Sequence, residues 1–99
     1  MNKKFETICH EKIKYLIENN LSILLDVRTE DEYDIKRIEN SINIPIQELS
    51  DRIEELDKTK SYICFCARGV RSLAAATILH EEGFENIYNG EEGIVTWKY

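Results

Sequence analysis

The apolar positions of this chain change period as they run, and each change predicts an element. Ile8, Ile13, Leu16 and Ile17 recur at helical spacing, and Asn19-Asn20 ends the helix they predict. Leu21 to Val27 is instead a tight apolar run centred on Ile23-Leu24-Leu25, the pattern of a strand buried on both faces. Thr29 followed three residues later by Glu32 is a capping-box spacing and predicts a short helix. Ile42-Asn43-Ile44 reads as a brief strand stopped by Pro45, and Ile46, Leu49, Ile53 and Leu56 form a helical stripe ending near Asp57-Lys58. Ser61 to Cys66 is the next strand. Ser72 to His80 is a strong helix, with Gly83 placed to close it. Asn86 to Asn89 supplies one more strand, and Gly90 to Trp97 a terminal turn or helix. Strands that alternate with helices, without hairpin signals, predict an α/β fold with a mostly parallel sheet covered on both faces.

Composition narrows the class. The 99 residues are 42% hydrophobic and 32% charged, with one proline and four glycines, which fits one folded domain over residues 1–99. No apolar run in the chain approaches the length needed to span a bilayer. Lys3-Lys4 is followed by no apolar stretch, so no secretory signal is expected. Three cysteines without an export signal predict reduced thiols and a cytoplasmic location. A net charge of −6 disfavours nucleic acid and membrane as partners.

In open parallel sheets sites lie beyond the carboxyl ends of strands, which selects Asp26-Val27-Arg28 and the turn after Cys66. Asp26 and Arg28 read as a structural pair. Cys66-Ala67-Arg68-Gly69-Val70-Arg71-Ser72 joins a strand to a helix, so a tight turn there aims successive N–H groups and the helix's positive end into one concavity. Gly69 tolerates the positive φ such a turn needs. With Arg68 and Arg71 adding positive charge, Cys66 is expected to ionise readily as a sulfur nucleophile. Neither His10 nor His80 is near this turn in sequence, so a cysteine–histidine pair has no evident base. Four residues separate Cys66 from Arg71, one fewer than in the protein tyrosine phosphatase signature, which makes a cradle better sized for sulfur than for phosphate.

Bland readings stand beside these. Cys66 could be a core cysteine, Arg68 a solvated charge and Arg71 a cap or ion-pair partner. Cys64 shares a strand face with Cys66, and a bridge between them would strain the backbone, so core packing is expected for Cys64 and for Cys9. No histidine or second cysteine pair completes a zinc set. Trp97 reads as a packing anchor, Ala74-Ala75-Ala76 as a close helix–sheet contact, and Glu30-Asp31-Glu32 and Glu91-Glu92 as solvated faces.

Cys66-x-x-Gly69-x-Arg71-Ser72 resembles the active-site loop of single-domain rhodanese-like sulfurtransferases. Leu25-Asp26-Val27-Arg28 resembles that family's L-D-V-R. Glu32-Tyr33 with Ile38 to Pro45 resembles its E-[FY]-x-x-G-H-I-x-G-A-x-N-I-P stretch. Gly83 to Tyr88 and Gly93 to Trp97 resemble its later G-[FY]-x-x-V and G-G-x-x-x-W segments, so the likeness runs from about Phe5 to Trp97. The departures are Lys36-Arg37 for G-H, Asn40-Ser41 for G-A, and Glu92-Gly93 for the paired glycines; they are expected to shape loops more than the cysteine's surroundings.

The resemblance implies a five-stranded sheet and a sulfurtransferase with no cofactor and no metal. Cys66 would take sulfur from a small anionic donor such as thiosulfate, become a persulfide, and pass the sulfur to cyanide, a thiol or a sulfur-accepting protein. Backbone N–H groups of Ala67, Arg68, Gly69, Val70, Arg71 and Ser72 would hold the persulfide; Arg68 would attract the donor and Arg71 brace the loop. The rivals are a non-catalytic protein-binding module of the same family and a cysteine-based phosphatase or arsenate reductase.

Overall fold

The computed structural model describes residues 5–99, so Lys3-Lys4 lies outside the described residues. Five strands, β1 (Glu6–Ile8), β2 (Ile23–Asp26), β3 (Ile42–Asn43), β4 (Tyr62–Phe65) and β5 (Ile87–Gly90), form one sheet in the order β1-β5-β4-β2-β3. Every pairing is parallel. The helices are α1 (His10–Glu18), α2 (Glu30–Ile35), α3 (Ile46–Leu49) and α4 (Val70–Glu81), with 3₁₀ turns at Ser50–Glu55 and Ile94–Thr96.

Alternation along the strands divides the core in two. Leu25, Cys64 and Cys66 point to one face, where they pack with Leu49, Leu79, Phe84 and the fully buried Ala75 and Ala76 of α4. Leu24, Ile63 and Phe65 point to the other, where Ile13 and Leu16 of α1 cover them together with Ile94. All four residues of β4 are buried, which explains a strand that reads as continuously apolar. The small side chains of Ala75 and Ala76 let α4 lie close on the sheet, whereas Ala74, expected to share that contact, is exposed on the outer face of the helix.

The structure corrects several expectations. Ile8 belongs to β1, an edge strand paired with β5, and not to the first helix. Because Ile8 turns inward at the end of an extended strand, the next residue turns out. Cys9 is therefore exposed at the N-cap of α1 and not packed inside. The stripe from Ile46 to Leu56 is one turn of α-helix continued as 3₁₀. Its three-residue steps, Ile46 to Leu49 and Ile53 to Leu56, suit either winding, so spacing does not separate them. The helix after Cys66 begins two residues earlier than its apolar pattern, at Val70.

Candidate active site

The loop at the carboxyl end of β4 is built by two glycines. Gly69 caps α4 in the left-handed region at φ 91°, which turns the chain from strand into helix within three residues of Cys66. Gly93 lies against the outside of the loop, where any Cβ would overlap the carbonyls of Cys66 and Ala67. Those two carbonyls accept hydrogen bonds from Ile94 N–H (2.9 Å) and Val95 N–H (3.1 Å). With its carbonyls held outward, the loop presents N–H groups inward. Gly69 N–H lies 3.1 Å and Ser72 N–H 3.3 Å from Cys66 Sγ, and both donate to it.

Cys66 is 1% exposed, and burial alone would oppose its ionisation. That cost is outweighed by the Ser72 hydroxyl and by the backbone N–H groups of Ser72, Arg68 and Gly69, so the thiol falls below its ordinary value. The Ser72 hydroxyl is buried and makes no hydrogen bond among the described residues, leaving it available to the sulfur. Cys64, two residues back on the same face, is pushed upward by full burial and by the neighbouring Cys66. All three cysteines are free.

The two arginines divide. Arg68 is exposed and makes no ion pair among the described residues. Arg71 is clamped by Glu32 of α2, its Nη1 and Nη2 donating to the carboxylate at 2.8 and 3.0 Å. Glu32 Oε1 also accepts from Thr29 N–H at 2.9 Å while Thr29 Oγ1 accepts from Glu32 N–H, completing the predicted capping box. Glu32 is thus no solvated charge, and the sequence reading missed its reach to Arg71. The capping-box spacing was the one local signal that its carboxylate is held in place. Arg71 holds this carboxylate down at about 2, well below its usual range.

Asp26 and Arg28 form the expected structural pair, buried, with Arg28 Nε and Nη2 on the carboxylate at 2.7–3.0 Å. Arg28 also donates to the carbonyls of Glu32 and Lys36, tying both ends of α2 to β2. His10 packs edge-on against Trp97 and Phe65 on the opposite side of the sheet from Cys66, and Trp97 is the anchor of that layer. Glu92-Gly93 does more than shape a distant loop: Glu92 N would lie 3.4 Å from a Cβ at Gly69, and Gly93 sets the carbonyls of Cys66 and Ala67. Glu92 itself holds φ 64°, a conformation natural to the glycine it replaces in the resemblance, and Asn40 does the same at φ 67°. Among the described residues no three His, Cys, Asp or Glu side chains gather as metal ligands.

A cleft of about 680 Å³ lies elsewhere, between α1, the segment 36–40 and the segment 97–99. It borders the amino end of β2 and contains no cysteine, so its size does not bear on the thiol chemistry.

The rhodanese-like domain model matches residues 10–99. The chain belongs to the rhodanese-like domain family. It is 30% identical over 94 residues to the thiosulfate sulfurtransferase GlpE of Coxiella burnetii, covering 95% of this chain and 88% of that protein. A tRNA sulfurtransferase of Histophilus somni is 41% identical over 69 residues, 66% of this chain but 14% of its own length. A rhodanese-related protein of Thermoplasma volcanium superposes with a TM-score of 0.86 at 36% identity, covering 94% of this chain and 90% of that one. These relatives support a sulfurtransferase function at the level of the family, with a sulfur donor and a sulfur acceptor as its partners.

Proposed function

We propose that this rhodanese-like chain, taken over residues 1–99 as one domain, transfers sulfane sulfur through a persulfide on Cys66. The observation that carries the reading is the pair of inward N–H groups, Gly69 and Ser72, on a thiol whose ionisation they favour. The Cys66 thiolate attacks the outer sulfur of a donor such as thiosulfate. The new bond is Cys66 S–S, the donor's S–S bond breaks, and sulfite leaves with the electron pair. Cyanide or a thiolate then attacks the terminal sulfur, and the electron pair of the broken bond returns to Cys66. The N–H groups from Ala67 to Ser72 hold the terminal persulfide anion as an oxyanion hole holds oxygen. Arg68, which makes no ion pair among the described residues, draws the anionic donor to the loop; Arg71, committed to Glu32, braces it. The thiol chemistry suits a reducing compartment, and we take the protein as cytoplasmic on that ground.

Intact-protein mass spectrometry after incubation with thiosulfate tests the reading. The native chain gains one sulfur that cyanide removes, and the Cys66→Ser variant gains none. A native chain that stays unmodified by thiosulfate and by polysulfide overturns it.

A further inference from the structure

Eight large hydrophobic side chains are exposed among the described residues, and four of them are carried by the elements that build the Cys66 loop. Val70, 77% exposed, and Leu73, 48% exposed, stand one turn apart on the first two turns of α4. Val95, 51% exposed, belongs to the turn whose N–H groups hold the loop carbonyls. Ile35, 86% exposed, lies one turn beyond Glu32 on the face of α2 that reaches Arg71. The one guanidinium of the loop without a carboxylate is Arg68, and the chain as a whole carries a charge of −6. The three elements that carry these exposed side chains meet at the loop, whose Arg68 makes no ion pair among the described residues, and the sulfur beneath is almost completely buried.

A small anionic donor or cyanide makes no use of such a rim. Exposed apolar side chains gathered on the elements that meet at a reactive group mark a protein contact. We propose that the rim of Val70, Leu73, Val95 and Ile35 is a docking surface for a protein segment that presents a cysteine between apolar side chains, with a carboxylate placed to meet Arg68. The inference rests on the persulfide reading and names the acceptor's class. The acceptor thiolate attacks the terminal sulfur of the Cys66 persulfide and becomes a persulfide itself. Its proton goes to solvent, the Cys66 S–S bond breaks, and Cys66 keeps the electron pair as a thiolate. No oxidant or reductant is consumed.

The test follows sulfur transfer from thiosulfate-loaded protein to synthetic peptides by mass spectrometry. One peptide carries its cysteine between leucines with a nearby glutamate, a second between glycine and serine, and a third has lysine for the glutamate. Transfer to the first is expected to be about tenfold faster than to either other peptide or to glutathione, the scale set by burying one or two apolar side chains. In the Ile35→Ser/Leu73→Ser variant the advantage over the glycine-serine peptide falls to about twofold or less, while thiosulfate-to-cyanide turnover stays unchanged. Equal rates for all thiols, or an advantage that survives in the variant, overturn the docking surface and leave the persulfide intact. Failure of Cys66 to load any sulfur overturns the persulfide reading and the docking surface with it.

Discussion

Cys64 and Cys66 are two residues apart on one face of β4, yet their thiols move in opposite directions. Cys64 sits within the strand, where backbone N–H groups are spent on the neighbouring strands and burial raises the thiol. Cys66 sits one residue past the strand's end, where unspent N–H groups and the start of α4 converge. The Ser72 hydroxyl is the side-chain member of that set. Replacing it in Ser72→Ala therefore raises the Cys66 thiol and moves the acid limb of sulfur transfer to higher pH. Because the thiolate is the attacking form in the proposed mechanism, native activity is expected to decline only as pH falls through the lowered value of Cys66. The variant should lose several-fold more activity in mildly acidic than in alkaline solution, with thiolate absorbance shifting in step. A uniform loss at every pH would place Ser72 outside the ionisation of Cys66. The cysteine, Gly69 and both arginines were legible as a site from their spacing. The roles of Glu32 and Gly93 were not, since each acts on the loop from a distant part of the chain.

Between elements, α2 and α4 are joined across the loop by Glu32 and Arg71. Glu32 is also the N3 residue of its own capping box, so one carboxylate fixes the start of α2 and the first turn of α4. Its value is depressed from 4.5 to about 2 in the folded chain. A depressed carboxylate contributes stability above its ordinary value and loses it as pH falls through the folded one. The pair is partly open to solvent, so its contribution is about 1 kcal/mol after screening. Glu32→Gln should be less stable than the native chain at neutral pH by about that amount, with the gap narrowing from pH 4.5 toward 2 in urea unfolding. A gap independent of pH would assign the loss to the cap alone. Element types were readable where periodicity or capping was strong, as in β2, α2, β4 and α4. They were not readable for β1, whose three residues owe their extended form to pairing with β5 at the far end of the chain.

Over the whole molecule, the parallel order β1-β5-β4-β2-β3 puts β4 at the centre and its carboxyl end between α2 and the turn at Ile94–Thr96. The buried Asp26–Arg28 pair secures the neighbouring strand end, and Asn43 Nδ2 donates to the carbonyls of Asp26 and Arg28 at 2.9 and 3.0 Å to hold β3 beside it. Removing the negative charge leaves the Arg28 guanidinium buried without its partner. Asp26→Asn is expected to cost ~3–5 kcal/mol in chemical denaturation, although residue 26 is far from the sulfur in sequence. A loss below about 1 kcal/mol would mean that the guanidinium finds water or other acceptors.

The sequence by itself determined the α/β class, the order of most elements, the strand–turn–helix around Cys66 and the pairing of Asp26 with Arg28. All of these depend on near neighbours: hydrophobic period, a cap three residues away, a glycine in a tight turn. Tertiary structure decided that Cys9 stands exposed while Cys64 and Cys66 are buried, and that Arg68 makes no ion pair among the described residues. It also decided that Glu32 reaches Arg71 and that Gly93 turns the loop carbonyls outward. Those contacts join residues far apart in the chain, and no local preference encodes a distance that exists only after the sheet has formed.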